Sequence, residues 1–275
     1  MSIENIKKVV VIGFGMMGSG IVQVFAQRGF NVIAVDVSDE LLTRGLNFIK
    51  SGSFGMKKAI QKGKISEKDA TGALSRIKTM RRDQIKEAVS DADFIVEAVF
   101  EDLKLKSETF KELNEIAPEE CILASNTSTI SVSALAANTE RPEKVVGMHF
   151  FNPAQLMKLV EVIKGVLTSD ETLNVTKMLT EKLGKVAVTV NVDIPGFIAN
   201  RIAMPSMNEA SRLYEAGVAS AQDIDTAMKT GYAWPMGPLE LLDLVGLDVH
   251  FHATESIYKE TGDPKYKVPP ILVNM

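Results

Sequence analysis

The sequence predicts an α/β fold in which a doubly wound sheet occupies residues 1–190 and an all-α domain follows at 191–275. Three observations predict it. A Gly-x-Gly-x-x-Gly turn directly follows the first apolar run, short Val/Ile-rich runs then alternate with helical patterns, and the pattern beyond Asp193-Ile-Pro-Gly196 is helical throughout. Alternating strands and helices are typical of a mostly parallel sheet that is covered by helices on both faces.

The first strand is predicted at Val9–Ile12, because a continuous apolar run is typical of a buried parallel strand. A helical pattern follows and stops at Gly29, and a second strand, Val32–Val35, ends at Asp36. Later strand-like runs occur at Phe94–Val99, Cys121–Ser125, Val145–His149, Leu159–Ile163 and Val186–Val190.

Residues 40–80 separate the second strand from the third, and their pattern predicts a helical hairpin inserted into the sheet domain. The first helix of the hairpin is expected to end near Gly63, and the spacing of Ser66 and Asp69 predicts a capping box for the second. In the all-α domain, Pro238 is expected at the first position of a new helix, where proline is tolerated.

The glycine turn is typical of a dinucleotide site. Gly13 makes the tight turn, Gly15 lets the backbone approach a pyrophosphate, and Gly18 allows close packing of helix on strand. Met16 and Met17 lie in the first turn of the following helix, whose unpaired N–H groups and partial positive charge suit phosphates. A glycine turn without a ligand is the alternative interpretation.

Asp36 indicates which dinucleotide is bound. It lies 18 residues after Gly18 at the end of the second strand, where a carboxylate can hold both ribose hydroxyls and would repel a 2′-phosphate. Val37 and Ser38 follow, with no arginine to receive such a phosphate. The N-terminal domain is therefore predicted to be a Rossmann-like fold that binds NAD rather than NADP.

The segment Gly147-Met-His-Phe-Phe-Asn-Pro153 is the strongest sign of catalysis. His149 ends one strand-like run and Glu161 lies inside the next, so a chain reversal near Pro153 would place them opposite each other. A carboxylate that fixes the tautomer of an imidazole produces the unit needed for general acid/base catalysis. The alternative is a strand-end histidine whose ring is satisfied by a backbone group.

Composition and charge exclude several other functions. A net charge of −4 and dispersed basic residues give no sign of nucleic-acid binding. The single cysteine, Cys121, excludes an internal disulfide, and we expect it to be buried and inert in a reducing, cytoplasmic environment. His250 and His252 have no cysteine partners nearby in the sequence, so no metal site is predicted.

Six segments together resemble the L-3-hydroxyacyl-CoA dehydrogenase family, in its 3-hydroxybutyryl-CoA dehydrogenase branch. They cover both predicted domains in order: VIGFGMMGSGI at 11–21, EAVFEDLKLK at 97–106, ASNTSTI at 124–130, GMHFFNPAQLMKLVEVI at 147–163, PGFIANRI at 195–202 and PMGPLELLDLVGLD at 235–248. The resemblance implies NAD-dependent oxidation of a 3-hydroxyacyl-CoA thioester and the reverse reduction.

The resemblance also implies roles for particular residues. The family's catalytic pair falls on His149 and Glu161, and its substrate-contacting serine and asparagine fall on Ser128 and Asn200. Contacts with the cofactor are implied for Asp36, Glu101, Lys106, Ser128 and Asn152.

Each of these polar residues has a structural alternative. Ser128 follows a strand at the edge where such sheets bind ligands, but it could instead be a helix N-cap. Asn200 could make a polar contact between helices, and Glu101 and Lys106 could form an exposed salt bridge. In the functional interpretation, Ser128 and Asn200 donate hydrogen bonds to a developing alkoxide or to the acyl carbonyl.

The predicted hairpin carries a cluster of lysines, namely Lys57, Lys58, Lys62, Lys64 and Lys68. A solvated helix face is one interpretation. The other is a surface that binds the phosphates of coenzyme A, with Lys57 and Lys58 as candidate contacts, and the family resemblance favours it.

Three functions compete on the sequence alone. They are a 3-hydroxyacyl-CoA dehydrogenase, a related dehydrogenase of a hydroxy acid that is not a CoA ester, and an NAD-binding protein without turnover. The candidate catalytic residues argue against the third. Family members usually continue beyond the point where this sequence stops, so a shortened C-terminus is one expectation. Apolar runs in 195–275 predict a homodimer through that domain.

Overall fold

The computed structural model describes residues 3–274. The chain forms two compact units that divide between Asp193 and Ile194. In the first unit, eight strands form one sheet in the order β3-β2-β1-β4-β5-β6-β7-β8. The strands are β1 (Lys8–Ile12), β2 (Asn31–Asp36), β3 (Ile77–Arg81), β4 (Phe94–Glu97), β5 (Ile122–Ser125), β6 (Val145–Phe150), β7 (Leu159–Ile163) and β8 (Val186–Val190).

The direction of the strands determines where polar side chains meet. Strands β1 to β6 run parallel, so their carboxyl ends lie at one edge of the sheet. Strand β7 is antiparallel to β6, and β8 is parallel to β7. The order of the first six strands is that of the dinucleotide-binding fold, in which ligands bind outside the carboxyl ends. The predicted fold class is confirmed.

The helices of the first unit cover the sheet and complete its core. They are α1 (Met16–Gln27), α2 (Asp39–Ser51), α3 (Met56–Gln61), α4 (Glu67–Leu74), α5 (Ile85–Val89), α6 (Leu103–Ile116), α7 (Val132–Ala136) and α8 (Asp170–Lys182). Central strands such as β1 are buried on both faces, which explains why their sequences are uninterrupted apolar runs.

The helical insertion is more divided than the sequence suggested. Helix α2 ends at Ser51 and α3 begins at Met56, so the first arm of the hairpin is two helices. The break occurs at Gly52 and Gly55, where an added Cβ would lie 2.6 and 2.7 Å from backbone carbonyl oxygens. Gly63, with φ +65°, follows α3, and the capping box that starts α4 is formed by Ser66 and Asp69.

Strand β3 is an element that the sequence analysis did not predict, because its residues were assigned to the helical insertion. It pairs only with β2 and therefore forms the edge of the sheet. Its sequence, Ile-Lys-Thr-Met-Arg, contains no buried residue, and an edge strand needs little apolar surface. Hydropathy alone therefore gave no strong signal for it.

The second unit is helical. Its helices are α9 (Ala199–Glu215), α10 (Ala221–Gly231), α11 (Pro238–Val245), α12 (Leu247–Thr261) and α13 (Pro270–Asn274). They surround a core of Met204, Met207, Leu242, Ile257, Tyr266 and Leu272. Pro238 occupies the first turn of α11, as predicted. Among residues 3–274, no helix is both long and apolar enough to cross a bilayer.

Candidate active site

The glycine turn between β1 and α1 is shaped by contacts that only glycine allows. Gly13 has φ +95°, and a Cβ there would lie 2.5 Å from the Ala98 carbonyl oxygen. A Cβ on Gly18 would lie 1.9 Å from the Gly13 carbonyl oxygen, so only glycine at this position lets α1 pack this closely against the turn. At Gly15, by contrast, an added Cβ meets nothing within 4 Å. The backbone is thus open where a pyrophosphate would approach.

Helix α1 supplies the positive end of a dipole at this opening. Gly15 is its N-cap and offers no side-chain acceptor to the first turn, which begins with Met16 and Met17. Ser19 stabilises the turn instead, since its hydroxyl donates to the Phe14 carbonyl oxygen at 2.9 Å. The uncapped N–H groups suit an anionic group, so the local structure fits the phosphates of a dinucleotide.

Asp36 is held at the end of β2 beside the same turn. Its Oδ2 accepts a hydrogen bond from the Phe14 N–H at 2.7 Å, and its Oδ1 accepts one from the Val37 N–H at 2.7 Å. Each carboxylate oxygen has a second lone pair, so the side chain can still accept from ribose hydroxyls. Val37 is 65% exposed, and no cationic side chain occupies that position.

His149 and Glu161 form a buried pair across the β6–β7 hairpin. The two residues are direct partners in the antiparallel register, and His149 Nδ1 lies 2.8 Å from Glu161 Oε2. His149 is 5% exposed and Glu161 is 0% exposed. The ring of Phe151 packs on the imidazole with centroids 4.4 Å apart. The predicted position of His149 opposite Glu161 is confirmed. The contact makes Nδ1 the ring nitrogen that faces the carboxylate and so fixes the orientation of the ring.

Glu101 and Lys106 do not form an exposed salt bridge. Lys106 is 1% exposed, and its ammonium lies 3.3 Å from Glu101 Oε2. Glu101 Oε1 accepts hydrogen bonds from the Thr127 hydroxyl and from the N–H groups of Ser128 and Thr129, at 2.6, 2.8 and 3.0 Å. Although partial burial opposes ionisation, Lys106 and these donors hold the Glu101 pKa below its usual value.

Ser128 lies in the loop that follows β5, half-buried and within the reach of Glu101. Its hydroxyl lies 3.3 Å from Glu101 Oε1. The N-cap alternative is wrong, because Ser131 caps α7 by accepting a hydrogen bond from the Ala134 N–H. Asn126 in the same loop accepts from the Phe150 N–H at 2.9 Å, which ties the loop to β6 beside His149.

Two buried residues at the carboxyl ends of the parallel strands were not predicted from the sequence. Glu97 ends β4 and is 0% exposed, and Thr127 is 0% exposed. Glu97 accepts a hydrogen bond from the Lys106 ammonium at 2.7 Å and another from the Ser125 hydroxyl at 2.6 Å. The available signal was a carboxylate closing an otherwise apolar strand, where a buried charge must have a partner.

Asn152 is exposed in the loop between β6 and β7, just after His149. Lys185 fixes this loop from the start of β8, because its ammonium donates to the carbonyl oxygens of Ala154 and Met157 at 2.6 and 2.8 Å. Burial, together with the nearby Arg28, lowers the pKa of Lys185 to about 8. The loop is therefore held by side-chain contacts in addition to the hairpin register.

The remaining predicted residues lie in the helical insertion, just before β5 or in the second unit. Asn200 is half-buried in the first turn of α9, and Lys57 and Lys58 are exposed on α3. Cys121 is buried as predicted, and burial raises the pKa of its thiol to about 12. Among residues 3–274, no group of three His, Cys, Asp or Glu side chains is arranged to hold a metal ion.

Known proteins resemble this chain over nearly its full length. The family model for the NAD-binding domain of 3-hydroxyacyl-CoA dehydrogenase matches residues 8–194, and the model for the C-terminal domain of the same family matches residues 196–275. A 3-hydroxybutyryl-CoA dehydrogenase from Clostridioides difficile is 43% identical, covering 98% of this chain and 93% of the relative. A probable 3-hydroxybutyryl-CoA dehydrogenase from Bacillus subtilis is also 43% identical, covering 98% and 91%.

A solved structure agrees with these sequence relatives. The crystal structure of (S)-3-hydroxybutyryl-CoA dehydrogenase from Ralstonia eutropha has a TM-score of 0.91 and 40% sequence identity to this chain. The match covers 98% of this chain and 93% of that chain.

Proposed function

Because the chain belongs to the 3-hydroxyacyl-CoA dehydrogenase family, a family of NAD-dependent oxidoreductases, we propose that it interconverts (S)-3-hydroxybutyryl-CoA and acetoacetyl-CoA. The observation that carries the proposal is the buried His149–Glu161 pair in the domain that binds NAD. An oxidation of this kind removes a hydroxyl proton together with a hydride. NAD, when bound, accepts or returns the hydride.

His149 is the proposed acid/base. Since Glu161 occupies Nδ1, proton exchange with the substrate falls to Nε2. Glu161 holds the ring in one orientation and stabilises the imidazolium that forms when the hydroxyl proton is taken. In the reducing direction, the same nitrogen returns a proton to the carbonyl oxygen.

Ser128 and Asn200 are the proposed donors to the developing alkoxide or to the thioester carbonyl. The contacts of Glu101 with the Ser128 N–H and hydroxyl support this role for Ser128, because they restrict the side chain to the carboxyl edge of β5. For Asn200, the support is the match of Pro195-Gly-Phe-Ile-Ala-Asn200 to the family pattern. Asp36, Glu101, Lys106 and Asn152 are the proposed cofactor contacts outside the glycine turn.

We further propose how the chain is divided and where it works. Residues 1–190 form the NAD-binding domain, and residues 191–275 form the substrate and dimerisation domain. The reducing cytoplasm suits a buried, protonated Cys121. We place the reaction in fatty acid or butyrate metabolism, because the relatives are named for a four-carbon acyl-CoA substrate, 3-hydroxybutyryl-CoA.

A rate comparison tests the substrate. Oxidation of NADH is followed with acetoacetyl-CoA, with unesterified acetoacetate and with other short keto acids at equal concentration. We expect turnover with the CoA ester, and rates with the acids that are lower by orders of magnitude. Faster turnover of an acid would identify a dehydrogenase of a hydroxy acid that is not a CoA ester, and no turnover of any of them would contradict the proposal.

A further inference from the structure

The carboxylate of Glu97 is buried at the site and has no role in the proton transfer proposed above. It is the last residue of β4, follows three apolar residues and is 0% exposed. An isolated carboxylate in such surroundings would be strongly destabilising, so its partners must compensate it. Oε1 accepts from the Lys106 ammonium and from the Val99 N–H, both at 2.7 Å, and Oε2 accepts from the Ser125 hydroxyl at 2.6 Å.

Lys106 connects this buried carboxylate to the site. Its ammonium lies between Glu97 Oε1 at 2.7 Å and Glu101 Oε2 at 3.3 Å, and it also donates to the Val99 carbonyl oxygen at 3.3 Å. The shorter contact is the one to Glu97. Glu97 therefore determines where the ammonium lies, and the ammonium in turn restrains Glu101.

Glu101 in turn holds the loop after β5 through hydrogen bonds. Its Oε1 receives five hydrogen bonds from that loop, and the three shortest come from the Thr127 hydroxyl and from the N–H groups of Ser128 and Thr129. The other oxygen faces Lys106. If the ammonium lost its anchor, it would be drawn toward Glu101, the other carboxylate in contact with it, and Ser128 would move with the loop.

We propose that Glu97 is a positioning residue, which anchors Lys106 so that Glu101 holds Ser128 in the orientation needed for turnover. This inference rests on the proposed function, since it is there that Glu101, Lys106 and Ser128 contact cofactor or substrate. It assigns a role in catalysis to a side chain that lies behind these contacts and is itself shielded from solvent.

The rival explanation is that Glu97 and Lys106 are merely a structural ion pair. The two explanations differ in a double-mutant cycle of Glu97→Gln, Lys106→Met and both together. Each single variant leaves one buried group without its charged partner, whereas the double variant removes both charges. In either explanation, the urea midpoint should fall in the single variants and recover in the double variant.

The Kd for NADH and the kcat distinguish the two explanations. If Glu97 acts through Lys106, Glu97→Gln should raise the Kd for NADH and lower kcat, each at least about tenfold, the range typical of breaking a charged buried contact. The KM for acetoacetyl-CoA should change less than about twofold, because the proposed contacts with the carrier are Lys57 and Lys58 and not Glu97 or Lys106. The Kd and kcat of the double variant should then equal those of Lys106→Met alone, because Glu97 has no ammonium left to position.

Each contrary result overturns the proposal. If Glu97→Gln keeps the wild-type Kd and kcat, Glu97 and Lys106 are only a structural ion pair. The same conclusion follows if Kd, kcat and the urea midpoint all recover in the double variant. Losses that multiply in the double variant would mean that Glu97 acts independently of Lys106. The control is the same cycle in the Lys144–Glu120 pair, 2.8 Å apart with Glu120 71% exposed, where Glu120→Gln and Lys144→Met should change neither constant.

The readouts also separate this inference from the proposed substrate. A wild type that binds NADH but does not turn over acetoacetyl-CoA would contradict the proposed function. The NADH titration would still decide the role of Glu97, because that measurement needs no substrate.

Discussion

At the residue scale, His149 is central to the proposed chemistry, because the carboxylate of Glu161 lies 2.8 Å from its Nδ1 and holds the ring in one orientation. Its spacing from Glu161 predicted two facing strands, and the register places them as direct partners. This succeeded because both residues lie on adjacent strands joined by a short loop, so local pattern determines the pairing. The partners of Glu97 depend instead on a helix and on a neighbouring strand, and periodicity does not encode such contacts.

Replacing His149 tests the acid/base assignment. We expect His149→Gln to lower kcat by roughly two to four orders of magnitude, the usual effect of losing a positioned acid/base. The Kd for NADH should remain near the wild-type value, since the glycine turn and Asp36 are untouched. Stopped-flow rates and a fluorescence titration measure the two. His252→Gln, at an exposed histidine, is the control, and more than a tenth of the wild-type rate in His149→Gln would contradict the assignment.

Asp36 should control the choice between NADH and NADPH. Asp36→Ala combined with Val37→Arg removes the repulsion of a 2′-phosphate and supplies a cation at an exposed position. The ratio of kcat/KM for NADH over NADPH should therefore fall, or invert. Because Asp36 also accepts the N–H groups of Phe14 and Val37, the free energy of unfolding should decrease by about 1–3 kcal/mol.

Val37→Arg alone is the matched control for cofactor choice. It adds the cation and keeps the repelling carboxylate, so the ratio should change less than in the double variant. Equal use of both cofactors by the wild type would contradict the interpretation of Asp36.

At the scale of elements, the insertion shows what local signals can and cannot provide. The capping box of α4 was predicted because Ser66 and Asp69 satisfy each other within one turn. The break between α2 and α3 was not predicted, because it depends on how closely Gly52 and Gly55 approach backbone carbonyl oxygens. Edge strand β3 was not predicted for a related reason. Its pairing with β2 stabilises it more than its own apolar content does.

The lysines of α3 test the contribution of the insertion to substrate binding. Lys57→Gln with Lys58→Gln should raise the KM for acetoacetyl-CoA if these exposed ammonium groups bind the phosphates of the carrier. Charge-assisted contacts contribute about 1.5–3 kcal/mol when desolvated, and less at exposed sites, so an increase of roughly tenfold is expected at low salt. The KM for a truncated thioester that lacks the nucleotide should not change.

Lys86→Gln with Lys111→Gln removes the same charge from exposed positions on α5 and α6 and serves as the control. Equal losses for the full and the truncated thioester would indicate a folding defect. An unchanged KM for both would make the cluster a solvated helix face.

His250 on α12 predicts how acid affects the second unit. Its Nε2 lies 2.9 Å from Asn208 Oδ1 in the core, and burial lowers its pKa to about 4. An unfolded chain would bind a proton near pH 6.5, so the unfolded state binds more protons between pH 6.5 and 4. The stability of the folded unit should thus fall as pH decreases through this window, by about 2 kcal/mol between pH 7 and pH 5.

Urea unfolding of this unit at pH 7 and pH 5, followed by the fluorescence of Trp234, measures the effect. His250→Gln should reduce the difference between the two pH values, and His252→Gln, at an exposed position, should not. If all three proteins lose the same stability, the acid sensitivity has another origin.

At the scale of the whole molecule, the sequence predicted the division into a sheet unit and a helical unit from the change of pattern after Val190. The structure divides between Asp193 and Ile194. Such a boundary is readable because the period of the apolar residues changes there from that of strands to that of helices. Which helical surfaces are buried by a partner is a different matter, since an apolar residue on a helix gives no sign of what covers it.

The exposed apolar residues of the second unit lead to the last prediction, a homodimer. Ile202 on α9 is 64% exposed, Leu244 on α11 is 70% exposed and Val249 on α12 is 54% exposed. A stable dimer typically buries about 1,200–2,000 Å² in total, and apolar side chains at its centre dominate the affinity. Ile202→Glu with Leu244→Glu would place two carboxylates in that interface without partners, which should prevent association.

Light scattering during gel filtration should give the wild type twice the mass of one chain and the double variant the mass of one chain. Val166→Glu is the matched control, because Val166 is 81% exposed but belongs to the sheet unit. It should leave the mass unchanged. A monomeric wild type at micromolar concentration would contradict the dimer, and a double variant that keeps the wild-type mass would move the interface away from α9 and α11.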